Sequence, residues 1–229
     1  DENDSELRIT DTSKDNEGVY QIVMSNPAGS VVSEEVKLTV VQPVVILEEP
    51  EGATKLLGQA IKISVAASGS EPLNYQWYKN DALLPDYTDA SLTFESLTLG
   101  DGGAYKVNIS NEAGEVESAE VNIVVHQPIS IIHEPEEARV IDGEEAVFNV
   151  EAAGTAPIKY EWLFNSKVLK GQHGPKLTIQ GASKENEGVY QVIMTNPAGG
   201  AVSQEAKLTV VQPIKITKQP ASNLVLLQN

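Results

Sequence analysis

Cysteine is absent from all 229 residues. Its absence excludes disulfides, thiolate metal sites and cysteine nucleophiles together, while leaving the compartment open, because a secreted protein with large enough cores can do without cystines. Positive charge is scarce: 16 Lys and Arg stand against 33 Asp and Glu, a net charge of −17. Such a surface repels phosphate backbones and anionic lipid, so nucleic acid and membrane surfaces are poor partners. Aromatic side chains make up 5 % of the chain. No run of about 18 apolar residues is present to span a bilayer, so no membrane insertion is expected of this segment. The opening DENDSELRIT has neither the basic nor the apolar part of a signal peptide, and a mature or excerpted chain is expected.

What the chain has is repetition. NEGVYQVIMTNPAGG at 186–200 is nearly the same as NEGVYQIVMSNPAGS at 16–30, and a looser version, DGGAYKVNISNEAGE, lies midway at 101–115. The step is 85 residues each time, and a fixed step of this kind marks a repeat architecture. Trp77 and Trp162 keep it, as do Pro43, Pro128 and Pro213, and Tyr20, Tyr105 and Tyr190. Complete repeats are expected at 43–127 and 128–212. Residues 1–42 match the C-terminal half of a repeat, with Leu7 and Ile9 aligned to Leu92 and Phe94, and residues 213–229 match the N-terminal strand of a further one.

Within a repeat the apolar pattern has period two. IKISV sets Ile61, Ile63 and Val65 against Lys62 and Ser64, and YKVNIS sets Tyr105, Val107 and Ile109 against Lys106, Asn108 and Ser110. Short alternating runs at intervals of about ten residues, with turn residues between them, predict an all-β fold of antiparallel sandwiches. NPAG, NEAG and NPAG follow the tyrosine runs, with Asn26, Asn111 and Asn196 first and Gly29, Gly114 and Gly199 last. This order suits a tight hairpin whose glycine takes a conformation that a Cβ would resist.

The segments GQAIKISVAASGSEPLNYQWYKND (58–81) and SLTLGDGGAYKVNISNEAGEVESAEVNIVV (96–125), with their counterparts in the next repeat, resemble immunoglobulin-like domains of the I-set kind. The chain is most similar in character to the cysteine-free tandem repeats of large bacterial surface and secreted proteins. The resemblance implies tandem immunoglobulin-like β-sandwiches joined end to end. Trp77 and Trp162 would take the strand C position that fills the space between sheets, and Tyr20, Tyr105 and Tyr190 would form the tyrosine corner. The family's cystine positions hold Val65 and Val107 in one repeat, Val150 and Val192 in the next, and Ile22 in the N-terminal piece. Closing the Val65–Val107 loop with a disulfide would contribute roughly 4 kcal/mol. Two buried valines return about 1.5–3 kcal/mol each, so the exchange is close to neutral. The missing cystine argues against a eukaryotic cell-surface receptor and leaves the fold intact.

Signatures of chemistry are sparse. His126, His133 and His173 do not recur at the repeat step. No zinc-protease helix, phosphate loop or nucleophile elbow is present, and no catalysis and no cofactor are expected. The acidic stretches LEEPEG (47–52), HEPEEA (133–138) and DGEE (142–145) lie near repeat starts. They read as solvated surface, with calcium at the repeat junctions as the alternative, carboxylates being its proper ligands. A Lys–Asn isopeptide cross-link is not expected, since Lys62 and Asn108 fall on outward phases. Tyr75 and Tyr160 share the tryptophans' inward phase; Tyr78 and Tyr87 are candidates for exposure, but Leu163 and Gln172 replace them one repeat on. The sequons Asn3-Asp4-Ser5 and Asn108-Ile109-Ser110 matter only in a glycosylating cell.

Gln-Pro dipeptides rather than Gly/Ser tethers join the repeats, and proline's fixed φ predicts stiff junctions and a rod. The expected function is structural: spacer, stalk or fibre modules of a long repetitive extracellular or cell-surface protein of bacteria, with neighbouring repeats as the first partners. The alternative is an adhesin holding a protein or glycan on other cells through loops such as KNDALLPDYTDAS (79–91), which differs from NSKVLKGQHGPK (165–176). A non-catalytic part of a secreted enzyme is the third reading.

Overall fold

The alternating runs become strands in the computed structural model, which describes residues 5–219. Along Gly188–Asn196 the buried side chains are Tyr190, Val192 and Met194, every second residue, as a strand with one face on a core requires. The equivalent Gly103–Asn111 buries Tyr105, Val107 and Ile109. The described residues fall into two compact units, the first reaching to Val124 apart from Thr54–Gln59 and Leu97–Gly100, which group with the second.

In the second unit, Gly188–Asn196 is the centre of one sheet. Lys159–Phe164 and Ala206–Val211 pair antiparallel with it, and Gly199–Val202 folds back on it as a hairpin. Lys167–Val168 lies at one edge and Ala138–Ile141 at the other. The facing ladder is Ala146–Asn149 with Lys176–Ile179, and Ser130–His133 pairs with Glu151–Ala153. Between the layers lie Phe148, Val150, Trp162, Leu177, Tyr190, Val192, Met194 and Leu208. Ring contacts knit the aromatic residues: Phe148 stacks on Tyr190 with centroids 4.7 Å apart, and Phe164 lies 4.9 Å from Tyr190.

One pair departs from the antiparallel expectation. Ala138–Ile141 runs parallel to Ala206–Val211. The chain pairs antiparallel at Ser130–His133, is interrupted at the buried Pro135, and continues on the other sheet. Proline removes the ladder donor at the point where the strand changes sheets.

In the first unit, Gly103–Asn111 pairs with Asn74–Lys79, Gly114–Glu117 and Val121–His126, and Ile61–Ser64 pairs with Ser91–Phe94. Ala82–Leu83 closes a hairpin on Asn74–Lys79. Residues 5–42 belong to this unit as two short ladders, Gly18–Tyr20 with Val36–Leu38 and Val23–Asn26 with Gly29–Val32.

The chain's flanks differ from the matching parts of the complete repeats. Leu7 and Ile9 lie in no strand, whereas the aligned Leu92 and Phe94 pair with Ile63 and Ile61. The strand expected within 213–229 is likewise not formed over 213–219; the aligned Val45–Glu48 is a strand because Ala66–Ser68 supplies its ladder partner. Residues 220–229 lie outside the described residues, as does Asn3 of the first sequon.

Candidate functional site

Trp77 and Trp162 are both 0 % exposed. Each sits directly across the ladder from the valine at a cystine position, Val107 for Trp77 and Val192 for Trp162. A buried indole N–H needs an acceptor, and the repeat supplies one at the same place: Trp77 donates to the Asp89 carbonyl and Trp162 to the Gly174 carbonyl, both at 2.9 Å. Val65, Val107, Val150 and Val192 are all buried.

The tyrosine corners close on the backbone. Tyr20, Tyr105 and Tyr190 donate their hydroxyls to the carbonyls of Asn16, Asp101 and Asn186 at 2.6, 2.7 and 2.8 Å. Burial pushes the Tyr190 phenol up to about 12, and burial together with the nearby Asp101 does the same for Tyr105. The asparagine side chains serve elsewhere: Asn16 and Asn186 accept from the amides of Ser13 and Ser183 and cap the short 3-10 turns before the tyrosine strands.

A serine bracket, not singled out from the sequence, recurs at the same step. Ser118 and Ser203 are the buried polar residues among those described. Each hydroxyl accepts the amide of the valine at the cystine position, Val107 or Val192, at 3.0 Å, and donates to the next carbonyl along its own chain. Ser33 does the same for Ile22 at 3.0 Å. The side chain thus satisfies an amide that the strand ladder leaves over. Its periodicity at 33, 118 and 203 was visible in the sequence.

The hairpin asparagines do more than turn the chain. The Oδ1 atoms of Asn26, Asn111 and Asn196 accept the amides of Ala28, Ala113 and Ala198 at 2.8 to 2.9 Å, an Asx-turn. Gly29, Gly114 and Gly199 follow with φ of +150°, +140° and +133°. In the complete repeats the amide nitrogen then reaches a distant strand end. Asn196 Nδ2 donates to the carbonyls of Gln127 at 2.9 Å and Thr155 at 3.1 Å. Asn111 Nδ2 donates to Gln42 at 2.8 Å and Ser70 at 3.0 Å. Gln127 and Thr155 also bond each other, amide to hydroxyl at 2.6 Å and amide to carbonyl at 3.0 Å; Gln42 and Ser70 repeat the arrangement at 2.8 and 3.1 Å. The residues before Pro43 and Pro128 are therefore clasped by the repeat that follows each. Gly154 permits the approach, since a Cβ there would stand 2.9 Å from Asn196 Nδ2.

The divergent segments 79–91 and 165–176 share a further turn. Asn80-Asp81 and Asn165-Ser166 are two-residue hairpin loops with φ of +49° and +62°, and +45° and +65°, the type I′ pattern. Asn80 and Asn165 then fix the neighbouring strand, their Oδ1 atoms accepting the amides of Ala104 and Val189 at 2.9 Å.

The remaining candidates are placed as follows. His133 Nδ1 lies 2.6 Å from Glu151 on an exposed edge, His173 is exposed, and His126 Nδ1 is buried with no partner. Among the described residues no group of three or more His, Asp or Glu is arranged to hold a metal ion. Several acidic-cluster carboxylates accept backbone amides: Glu49 from Ala119 and Glu134 from Gln204, both at 2.9 Å, and Glu144 from Ile141 at 3.0 Å. Lys62 is exposed, and Asn108 donates to Glu115 at 2.8 Å. Tyr75, Tyr160 and Tyr78 are half-buried, and Tyr87 lies against Phe94 at 6.4 Å. Among the described residues no helix is long and apolar enough to cross a membrane.

Two-layer sandwiches closed on a tryptophan and a tyrosine corner, repeated in one chain, define tandem immunoglobulin-like domains. The immunoglobulin I-set domain family matches residues 44–125 and 129–210, and the chain belongs to it. It is 29 % identical over 234 residues to the muscle M-line assembly protein unc-89 of Caenorhabditis elegans, with 91 % of this chain and 3 % of that protein aligned. To the netrin receptor DCC of Homo sapiens it is 25 % identical over 232 residues, covering 91 % of this chain and 16 % of the receptor. The chain thus spans a small part of these relatives. A three-domain fragment of titin superposes with a TM-score of 0.58 at 22 % identity, covering 79 % of this chain and 70 % of the fragment; this likeness is one of fold.

The bacterial setting expected from the missing cystine is not supported, since these relatives are animal proteins. The reason is physical: valine pairs beside the tryptophan satisfy the core, so the loss of the bridge carries no information about lineage.

Proposed function

We propose that the chain serves as non-catalytic spacer modules of a long repetitive protein at the cell surface or outside the cell, with neighbouring repeats as its first partners. One observation carries this reading. The features repeated at the 85-residue step are interior and junctional: the indole, tyrosine and serine bonds and the asparagine clasp recur with nearly equal lengths. The position of the exposed Tyr87 diverges, holding the half-buried Gln172 one repeat on. Repetition of what holds a module together, without repetition of its surface, suits a load-bearing or spacing role.

Pulling single molecules tests this. Each complete repeat is expected to unfold as a separate event releasing about 250–300 Å of chain, from the extended reach of 85 residues. A second reading, adhesion, rests on the netrin receptor among the relatives. Saturable binding on protein or glycan arrays, abolished when 79–91 is replaced by the corresponding loop of the next repeat, would favour adhesion over spacing.

A further inference from the structure

The central strand of repeat 43–127 carries on its outer face a feature that the other copies lack. Gly103–Asn111 sends Tyr105, Val107 and Ile109 into the core, so Asn108 and Ser110 stand together on the opposite face. With Ile109 between them they spell Asn-X-Ser, the acceptor pattern for an N-linked glycan. One repeat back and one repeat on, the position of Asn108 holds Val23 and Ile193. The asparagine is thus no part of the repeated frame, whose indole, tyrosine and serine bonds form in either case.

The hydrogen bonds of Asn108 leave room for substitution. An amide nitrogen carries two hydrogens. One Nδ2 hydrogen of Asn108 donates to Glu115 Oε2 at 2.8 Å, at the surface, and among the described residues the other has no acceptor. Asn111 and Asn196 differ, because their Nδ2 atoms donate twice, to the two carbonyls of the clasp. A glycosylated Asn108 would keep one N–H, so the Glu115 bond can persist and aim the attached sugar away from the sheet. The side chain takes no part in the ladders to Asn74–Lys79 and Gly114–Glu117, so substitution costs no strand bond.

We propose that Asn108 accepts an N-linked glycan that covers the outer sheet face of repeat 43–127. The donor is an oligosaccharide linked to a lipid diphosphate through an N-acetylated amino sugar. Asn108 Nδ2 bonds to the anomeric carbon of that sugar, and the bond from this carbon to the diphosphate oxygen breaks. The lipid diphosphate leaves with the electron pair, and one Nδ2 proton passes to a base on the transferase. Transfer precedes strand pairing, when the segment is an extended chain with Asn and Ser side by side. Repeat 128–212 keeps Ile193 uncovered at the same place, so the shield belongs to one of the two complete repeats. The inference rests on the placement outside the cell proposed above.

The test is secretion of the whole chain from animal cells behind an added leader, followed by peptide mapping. A glycan is expected on the peptide containing Asn108, released by a peptide amidase that leaves aspartate at 108. Asn108→Gln and Ser110→Ala should each abolish it, while Ser110→Thr and Asn3→Gln should retain it. Ile193→Asn, with Thr195 already two residues on, should add a second glycan on the matching face. Lys106 lies two residues before Asn108 and reads the cover: its acylation should be severalfold slower than in the chain from a non-glycosylating host. Asn108 recovered unmodified from the secreted chain would overturn the proposal, whatever Asn3 carries, and so would equal acylation of Lys106 with and without the glycan. Pulling experiments on the glycan-free chain judge the spacer reading separately, so either can fail alone.

Discussion

Replacing Asn196 by aspartate separates a turn residue from a clasp. Aspartate keeps the Oδ1 that accepts the Ala198 amide at 2.9 Å, and Asp serves Asx-turns as well as Asn does. It loses both Nδ2 donations, at 2.9 Å to Gln127 and 3.1 Å to Thr155, and turns a carboxylate oxygen towards two carbonyls. The two lost bonds are worth about 1–3 kcal/mol together, and the repulsion adds to that. Asn196→Ala loses the same two bonds and the turn acceptor, without the repulsion. Asp is therefore expected to destabilise the 128–212 repeat at least as much as Ala. For a module of this size the loss corresponds to roughly 4–8 °C in melting temperature per kcal/mol. Calorimetry of the whole chain reads the shift, and amide exchange at Thr155, whose N–H donates to Gln127 at 3.0 Å, places it. An Asp variant within about 0.5 kcal/mol of the parent, with Thr155 exchange unchanged, would refute the clasp and leave Asn196 a turn residue only.

Ser203→Ala should cost about 1–3 kcal/mol in urea unfolding, because it leaves the Val192 amide without the hydroxyl that accepts it at 3.0 Å; Ser203→Thr should recover part of that. Gly188→Ala should destabilise more than Gly199→Ala, since its Cβ would lie 2.6 Å from the Phe164 ring whereas the space around Gly199 is open; circular-dichroism melts of the two variants decide the order. On the alkaline side, Tyr105 and Tyr190 have folded pKa values raised from 10.0 to about 12. A raised value means their contribution is intact below pH 10 and is lost as pH rises through 12. Unfolding should therefore set in across that window, and Tyr190→Phe should weaken this dependence in denaturant titrations run from pH 9 to 12.

The interior was legible because it is written in a local code. Alternation in IKISV and YKVNIS places Val65 and Val107 inside, and the recurrence of Trp77 at Trp162 supplies the frame in which to read it. The serine bracket had the same periodic signal, but a serine in a polar-looking turn gives no hint that its hydroxyl closes a strand ladder. The clasp could not be read at all, since Asn196 and Gln127 lie 69 residues apart and only the folded sheets bring them together. The parallel edge escaped for a similar reason: Pro135 announces an interruption, not which sheet the chain joins next. Residues 7–9 and 213–219 form no strand because a strand needs a ladder partner as well as a pattern. The bacterial assignment inferred lineage from a packing substitution that any lineage can make.

Two β-sandwich interiors close around one indole each without sulfur bridges. Trp77 and Trp162 are the only tryptophans, so intrinsic fluorescence with iodide and acrylamide quenching reports on those two interiors alone. Emission well to the blue of free tryptophan, nearly untouched by iodide and shifting red cooperatively with denaturant, is the predicted result; solvent-like emission quenched freely in the native protein would contradict it.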